Sequence, residues 1–98
     1  MFEEIKKYLP IGTVVGLKEK DTKVMIIGYL STDDKTSIVY DYNGCFIPQG
    51  ISDAQNLVRF NHEQINKFYQ MGFYDEEVKL YINRLYNMNN KIDFVETD

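Results

Sequence analysis

The sequence is poor in the residues that small proteins use for chemistry. It has one cysteine (Cys45), one histidine (His62), two prolines and no tryptophan in 98 residues. A single cysteine excludes an internal disulfide and any cysteine-based metal site, and it fits a reducing cytoplasm. Basic charge is also short. Eleven Lys and Arg stand against fifteen Asp and Glu, for a net charge of −4 and a pI near 4.9. Residues 1–30 carry +1, residues 31–60 carry −2 and residues 61–98 carry −3. No stretch reads as the basic footprint that nucleic-acid binding draws on. Long apolar runs are missing too. The longest, Val24–Leu30, has seven residues, far short of the roughly 20 that span a bilayer, so no membrane insertion is expected. Residues 1–15 place Glu3, Glu4 and Pro10 where a signal peptide needs a basic start and an unbroken apolar run. A cytoplasmic protein is expected; if it acts outside the cell, something else must carry it there.

What is present is ordinary in bulk: 44% hydrophobic and 27% charged residues, the balance of a soluble globular domain. That composition rules out a disordered tail, a collagen-like rod and a membrane span. A chain this size buries roughly two thirds of its unfolded surface. One small domain over residues 1–90 is therefore expected, followed by a polar tail over 91–98 that carries Ile92, Phe94 and Val95. Eight Tyr and six Phe are more aromatics than a small core needs, so some must lie at the surface. A binding face is a better expectation than a catalytic cleft. The richness in Asn, Lys, Ile and Tyr, residues with AT-rich codons, hints at a low-GC bacterium.

Apolar periodicity sets the elements. Phe2–Leu9 reads as a short helix with Phe2, Ile5 and Leu9 on one side, ended by Pro10. Thr13–Leu17 (TVVGL) and Thr22–Leu30 (TKVMIIGYL) read as strands on either side of a charged tip, Lys18–Asp21. The second is apolar on both faces, as in a covered central strand. Gly16 and Gly28 interrupt the two, which marks bulges or bends and hence a curled sheet. After a polar turn at Ser31–Lys35, Thr36–Tyr42 reads as a third strand. Asn43-Gly44 is then a strong two-residue hairpin signal, which puts Tyr42 opposite Cys45 and Tyr40 opposite Ile47. Ile38, Tyr40, Tyr42, Cys45 and Ile47 would share one face, and Val39, Asp41 and Phe46 the other. Pro48 and Gly50 close the short fourth strand, Ile51–Asn56 is a loop, and Leu57–Phe60 is a further strand. Asn61–Ile65 reads as one helical turn, with Gln64 three residues after an Asn61 cap. Asn66–Phe73 alternates as a last barrel strand would, with a continued helix as its rival; Gly72 and the aromatics favour the strand. Asp75–Met88 is the clearest helix. Acids crowd its first turn, and Val78, Tyr81, Ile82, Leu85 and Met88 form its apolar stripe. The sum is an α+β fold: a small curled antiparallel β-barrel, Src-homology-3-like, with a short N-terminal helix and a C-terminal α-helix.

No constellation for catalysis is visible. His62 has only Glu63 beside it, and adjacent helical residues do not face each other; it reads as a structural or surface residue. Cys45 reads as a small core residue, with no cationic neighbour in sequence to stabilise a thiolate. Asp75, Glu76 and Glu77 diverge around a helix axis and form no oxygen cage. Asp33-Asp34 is a turn, since a calcium loop would need a Gly at its sixth position and a Glu at its twelfth. There is no G-x-G-x-x-G and no G-x-x-x-x-G-K, hence no glycine-rich phosphate cradle. No catalytic residue, metal site or cofactor is assigned. The suggestive feature is the aromatics, either as barrel core or as an exposed surface of the kind that supplies interface hot spots. Tyr40, Tyr42, Phe46, Tyr69 and Tyr74 are the candidate partner-binding residues.

Five segments in one order carry a resemblance. They are Leu9-Pro10-Ile11-Gly12-Thr13-Val14-Val15; Met25-Ile26-Ile27-Gly28; Tyr40-Asp41-Tyr42-Asn43-Gly44 leading to Pro48-Gln49-Gly50; Phe60-Asn61-His62-Glu63; and Gly72-Phe73-Tyr74-Asp75-Glu76-Glu77. Over roughly residues 8–80 the chain resembles a small family of unknown function encoded in Gram-positive type VII secretion loci, beside LXG polymorphic toxins. It departs from that family at Cys45, where an aliphatic or aromatic residue is more frequent, and at Gln49, where an acid is. Its Asn66–Met71 segment also reads less clearly as a strand. The resemblance implies a non-enzymatic accessory role in the cytoplasm: a chaperone, adaptor or targeting factor for a secreted toxin.

Four functions are weighed on these grounds. A protein-binding accessory factor for a type VII secreted LXG-type toxin is the expectation. An immunity protein that masks a toxin active site is the alternative, since acidic charge suits the masking of a nuclease. A nucleic-acid-binding barrel is opposed by the pI, and an enzyme by the missing constellation. The partner's identity and the oligomeric state are not legible in the sequence.

Overall fold

The computed structural model of the chain describes residues 8–18, 21–53 and 56–89. The polar tail lies outside these residues. So does the expected N-terminal helix, apart from Tyr8 and Leu9, which are buried and not helical. Five strands follow in chain order: β1 (Val14–Leu17), β2 (Lys23–Thr32), β3 (Val39–Ile47), β4 (Leu57–Phe60) and β5 (Ile65–Gln70). A single 3₁₀ turn, His62–Gln64, separates β4 from β5, and one helix, α1 (Glu76–Asn89), closes the described chain.

The strands form one antiparallel sheet in the order β4-β3-β2-β1-β5. The curl foreseen from the glycines has a physical basis. Ile27 is an extra residue between the Ile26–Gly44 and Gly28–Asn43 pairs, and the pairing of β1 with β5 shifts between Gly16 and Leu17. The sheet is nevertheless open, which corrects the barrel. β4 and β5 are its two edges, and no ladder joins them among the described residues. The core is sealed differently: Tyr8, Leu9, Ile82 and Leu85 join Val15, Leu17, Val24, Ile26, Tyr42 and Phe60 in one buried cluster. The helix and the segment before β1 occupy space that a closing strand pair would fill.

The Asn43-Gly44 hairpin is also corrected. Both residues lie inside β3, which runs unbroken between β2 and β4. Neither has the positive φ that the hairpin turn requires; among the described residues it occurs at Gly12, Leu30, Ser37 and Gly50. Gly44 is needed for close approach instead. A Cβ there would lie 2.5 Å from the Met25 carbonyl oxygen and 2.8 Å from Val24 Cγ1. The real β2–β3 connection is the polar loop after Thr32, where the Ser37 N–H donates to the Asp33 carbonyl (2.7 Å). Removing the turn moves every following residue to the other face. Phe46 therefore packs against the core that holds Tyr42. Cys45 is buried as foreseen, but pairs with Met25 and Leu57 outside that cluster.

Other elements match closely. Leu57–Phe60 is a strand, and Asn66–Gln70 is strand within β5. The turn after Asn61 is helical, with Gln64 Oε1 accepting from the Asn61 N–H (2.8 Å). Asp75 is the helix cap: its Oδ1 accepts from the Val78 N–H (2.9 Å). β2 is covered on one face only. Val24 and Ile26 are fully buried, while Met25 and Ile27 are half-buried.

Candidate functional site: an apolar groove

Three local features hold the helix away from the bulge of β2. The first is the turn at Pro10–Thr13. Gly12 adopts φ +94°, a left-handed conformation that favours glycine. Its N–H donates to the Ile26 carbonyl (2.8 Å), and the Ile26 N–H donates to the Thr13 carbonyl (2.9 Å). The second is Thr13, fully buried. Its hydroxyl donates to the Pro10 carbonyl (2.7 Å) and accepts from the Gly72 N–H (3.0 Å). That bond ties the 71–75 connector against residues 10–13 and sets where α1 begins. The third is a set of rings. Tyr29 donates from its hydroxyl to the Leu9 carbonyl (2.7 Å) and its ring lies 6.1 Å from that of Tyr81 on α1. Tyr8 meets both Tyr29 and Tyr42 edge-on.

Between α1 and β2 lies an open groove of about 890 Å³, lined mainly by apolar side chains. Ile27 and Leu30 form the sheet wall, Val78, Tyr81 and Met88 the helix wall, and Ile11 and Phe73 one end. Phe73 is 72% exposed and Met88 57%. Leu30 holds φ +49° within β2, a rare conformation for a bulky residue, at a point where its side chain lines the groove. Among the described residues Glu77 is the one carboxylate in the lining.

The five candidate rings do not meet here. Tyr42 is fully buried at the centre of the core, with Phe60 and His62 beside it, so it has no surface to offer a partner. Phe46 is half-buried against the same core. Tyr40 is half-buried near the start of β3, opposite Ser31. Tyr69 and Tyr74 are exposed, the first on edge strand β5 and the second on the connector. The helix wall of the groove comes instead from the apolar stripe of α1. Of its five apolar positions only Ile82 and Leu85 are buried. A stripe wider than the face it buries was the legible signal, and Tyr81 and Met88 are its surplus.

The buried phenols make stability depend on pH. Burial raises Tyr29 to about 12, and burial also pushes Tyr42 up, partly offset by the bond from Leu9. Both folded values exceed the unfolded value of about 10, so the folded state holds protons that the unfolded state releases. This contribution is complete below pH 10 and is lost as pH rises through 12. Urea midpoints are therefore expected to owe no pH dependence to these phenols below about pH 9.5 and to fall above it. Tyr42 supplies a slope of about 1.4 kcal/mol per pH unit, which Tyr42→Phe removes.

A second, polar recess is formed by Asp41, Asn61, His62 and Glu63. His62 Nδ1 lies 2.7 Å from the Tyr42 hydroxyl, and Asp41 Oδ2 accepts from the His62 backbone N–H (2.9 Å). The carboxylate thus holds the backbone of the turn. Among the described residues no three His, Cys, Asp or Glu side chains gather in metal-binding positions, and no helix is long and apolar enough to cross a membrane.

A family model described as a domain of unknown function, DUF4176, matches residues 8–80. No curated protein and no solved structure matches the chain.

Proposed function

The chain belongs to the DUF4176 family, and we propose that it is a non-enzymatic, protein-binding accessory factor that uses the groove between α1 and β2. The observation that carries this reading is Phe73, largely exposed at the end of an apolar groove whose rim also exposes Ile11, Tyr81 and Met88. A contiguous apolar patch rimmed by polar residues is the usual mark of a binding surface, and aromatic anchors carry much of the energy at such surfaces. Glu77 in the wall favours a partner segment that sets a basic residue among apolar ones. The sequence resemblance makes a type VII secreted LXG-type toxin the partner to try first, with the protein acting as its chaperone, adaptor or targeting factor.

The test is co-purification of the full chain with that toxin, and affinity measured for Phe73→Ala and Tyr81→Ala. Each truncation is expected to weaken binding by about 2 kcal/mol, roughly 30-fold. Melting should move little in Phe73→Ala and more in Tyr81→Ala, whose ring also packs on Tyr29. Unchanged affinity in both variants would remove the groove from the interface. Protection of cells from the toxin, lost in the same variants and without any effect on export, would assign the contact to inhibition rather than delivery.

A further inference from the structure

Three lysines that are scattered in the sequence meet at one pocket, which shares no residue with the groove. Gly16 on β1 pairs with Lys23 of β2 on one side and with Lys67 of β5 on the other. Directly paired residues project from the same face of a sheet. The row Lys23–Gly16–Lys67 therefore has two long cationic side chains and a gap between them. Tyr69, two residues beyond Lys67 and so on the same face, crosses that gap. A Cβ at Gly16 would lie 3.4 Å from Tyr69 Cε2 and 3.2 Å from Lys67 Cβ. The ammonium groups of Lys23 and Lys67 lie 5.5 Å and 5.7 Å from the centre of the Tyr69 ring. Lys18, just after β1, Asn66, Asp21 and Thr22 complete the lining of a polar recess of about 620 Å³. Among the described residues Asp21 is the one carboxylate in the lining.

Two ammonium groups drawn to one ring repel each other, and the ring's quadrupole attracts them without cancelling their charge. Such an arrangement, in a chain of net charge −4, is what a bound anion would relieve. We propose that Lys18, Lys23 and Lys67, arranged over Gly16 and Tyr69, form a binding site for a phosphate-bearing group. Lysine is a compact point charge with rotatable donors, and three of them together suit the higher charge and several acceptor oxygens of a phosphate better than a single carboxylate. The two arginines, Arg59 on β4 and Arg84 on α1, are not in the lining. The recess is larger than a bare phosphate needs and leaves room for the body that carries it.

The test titrates the full chain with sodium pyrophosphate, and with succinate at matched ionic strength, by calorimetry and by backbone amide shifts. Pyrophosphate is expected to bind at least tenfold tighter than succinate, with shifts confined to Gly16, Lys18, Lys23, Lys67 and Tyr69. The double variant K23Q/K67Q should lose at least tenfold in affinity and lose the rise in melting temperature that pyrophosphate gives. Without anion it should melt at the same temperature or higher, since two like charges drawn to one ring have gone; a structural role for the lysines would lower it. Vesicles of phosphatidic acid in phosphatidylcholine distinguish the source. Co-sedimentation abolished by K23Q/K67Q assigns a lipid headgroup, and pyrophosphate binding without co-sedimentation assigns a soluble phosphate ester. Equal binding of succinate, shifts spread over lysines elsewhere, or a variant within twofold of the parent would overturn the site.

Discussion

Tyr42→Ala is expected to cost about 3–5 kcal/mol, the range for emptying a buried aromatic position. A domain of this size has a total stability of about 5–15 kcal/mol, so the loss is a large fraction of the whole and should lower the melting temperature by more than about 10 °C. The ring is fully buried. It lies 5.3 Å from Phe60, 5.8 Å from Tyr8 and 6.0 Å from Tyr29. Its hydroxyl accepts from the Leu9 N–H (3.0 Å) and faces His62 Nδ1 (2.7 Å). One side chain thus joins β3 to the segment before β1 and to the turn after β4. Tyr42→Phe separates the two contributions. It keeps the ring and strands a buried N–H, a loss of about 1–3 kcal/mol, which urea unfolding would measure. If Tyr42→Ala instead melts like the parent, the aromatic cluster is not what holds the sheet to its N-terminal segment. A partner complex that disappears in Tyr42→Ala reports unfolding, whereas one that disappears in Phe73→Ala reports contact.

Local signals were legible where one physical cause dominated. The helix follows from its acidic start and apolar stripe, and the 3₁₀ turn from Asn61 and Gln64. Gly16 and Gly28 were rightly read as irregular points. The Asn43-Gly44 pair shows where local reading fails. A glycine required by the close approach of two backbones looks the same in sequence as one required by a turn, and only the neighbour in space, Met25, distinguishes them. The barrel failed for a related reason: five short strands do not reveal whether the two edges meet or a helix intervenes. The surplus of aromatics is legible in the sequence, but their sides follow from the path of β3 through Asn43-Gly44, which it does not show. Phe46 and Tyr42 lie on the core side together, Tyr69 and Tyr74 are exposed, and the exposed side chains at the groove are Ile11, Phe73, Tyr81 and Met88. The lysine recess was invisible because its members lie up to 49 positions apart in the chain. They are brought together by the pairing of Gly16 with both of its neighbours.

Gly72→Ala should have an effect out of proportion to one methyl group. A Cβ at Gly72 would collide with the Ile11 carbonyl oxygen and come within 2.7 Å of Thr13 N and 2.8 Å of the Gly12 carbonyl carbon. All three are backbone atoms of a turn that is itself bonded to β2, so no flexible side chain can swing aside. The connector must move away, and the Gly72 N–H then leaves the Thr13 hydroxyl. A loss of about 3 kcal/mol is expected, at the upper end for overpacking. Gly50→Ala is the control for backbone conformation alone. It has φ +73° and open space around it, and should cost only about 1–2 kcal/mol. Thr13→Ser and Thr13→Val test the same junction without a clash. The serine keeps the hydroxyl and should retain most of the stability; the valine leaves the part-buried Gly72 N–H unpaired, while the Pro10 carbonyl keeps the Thr13 backbone N–H, and should lose about 1–3 kcal/mol. Because the connector positions both Phe73 and the first turn of α1, Thr13→Val is also expected to weaken partner binding while every groove side chain is unchanged. Full affinity in a destabilised Thr13→Val protein would show that the groove does not depend on this junction for its shape.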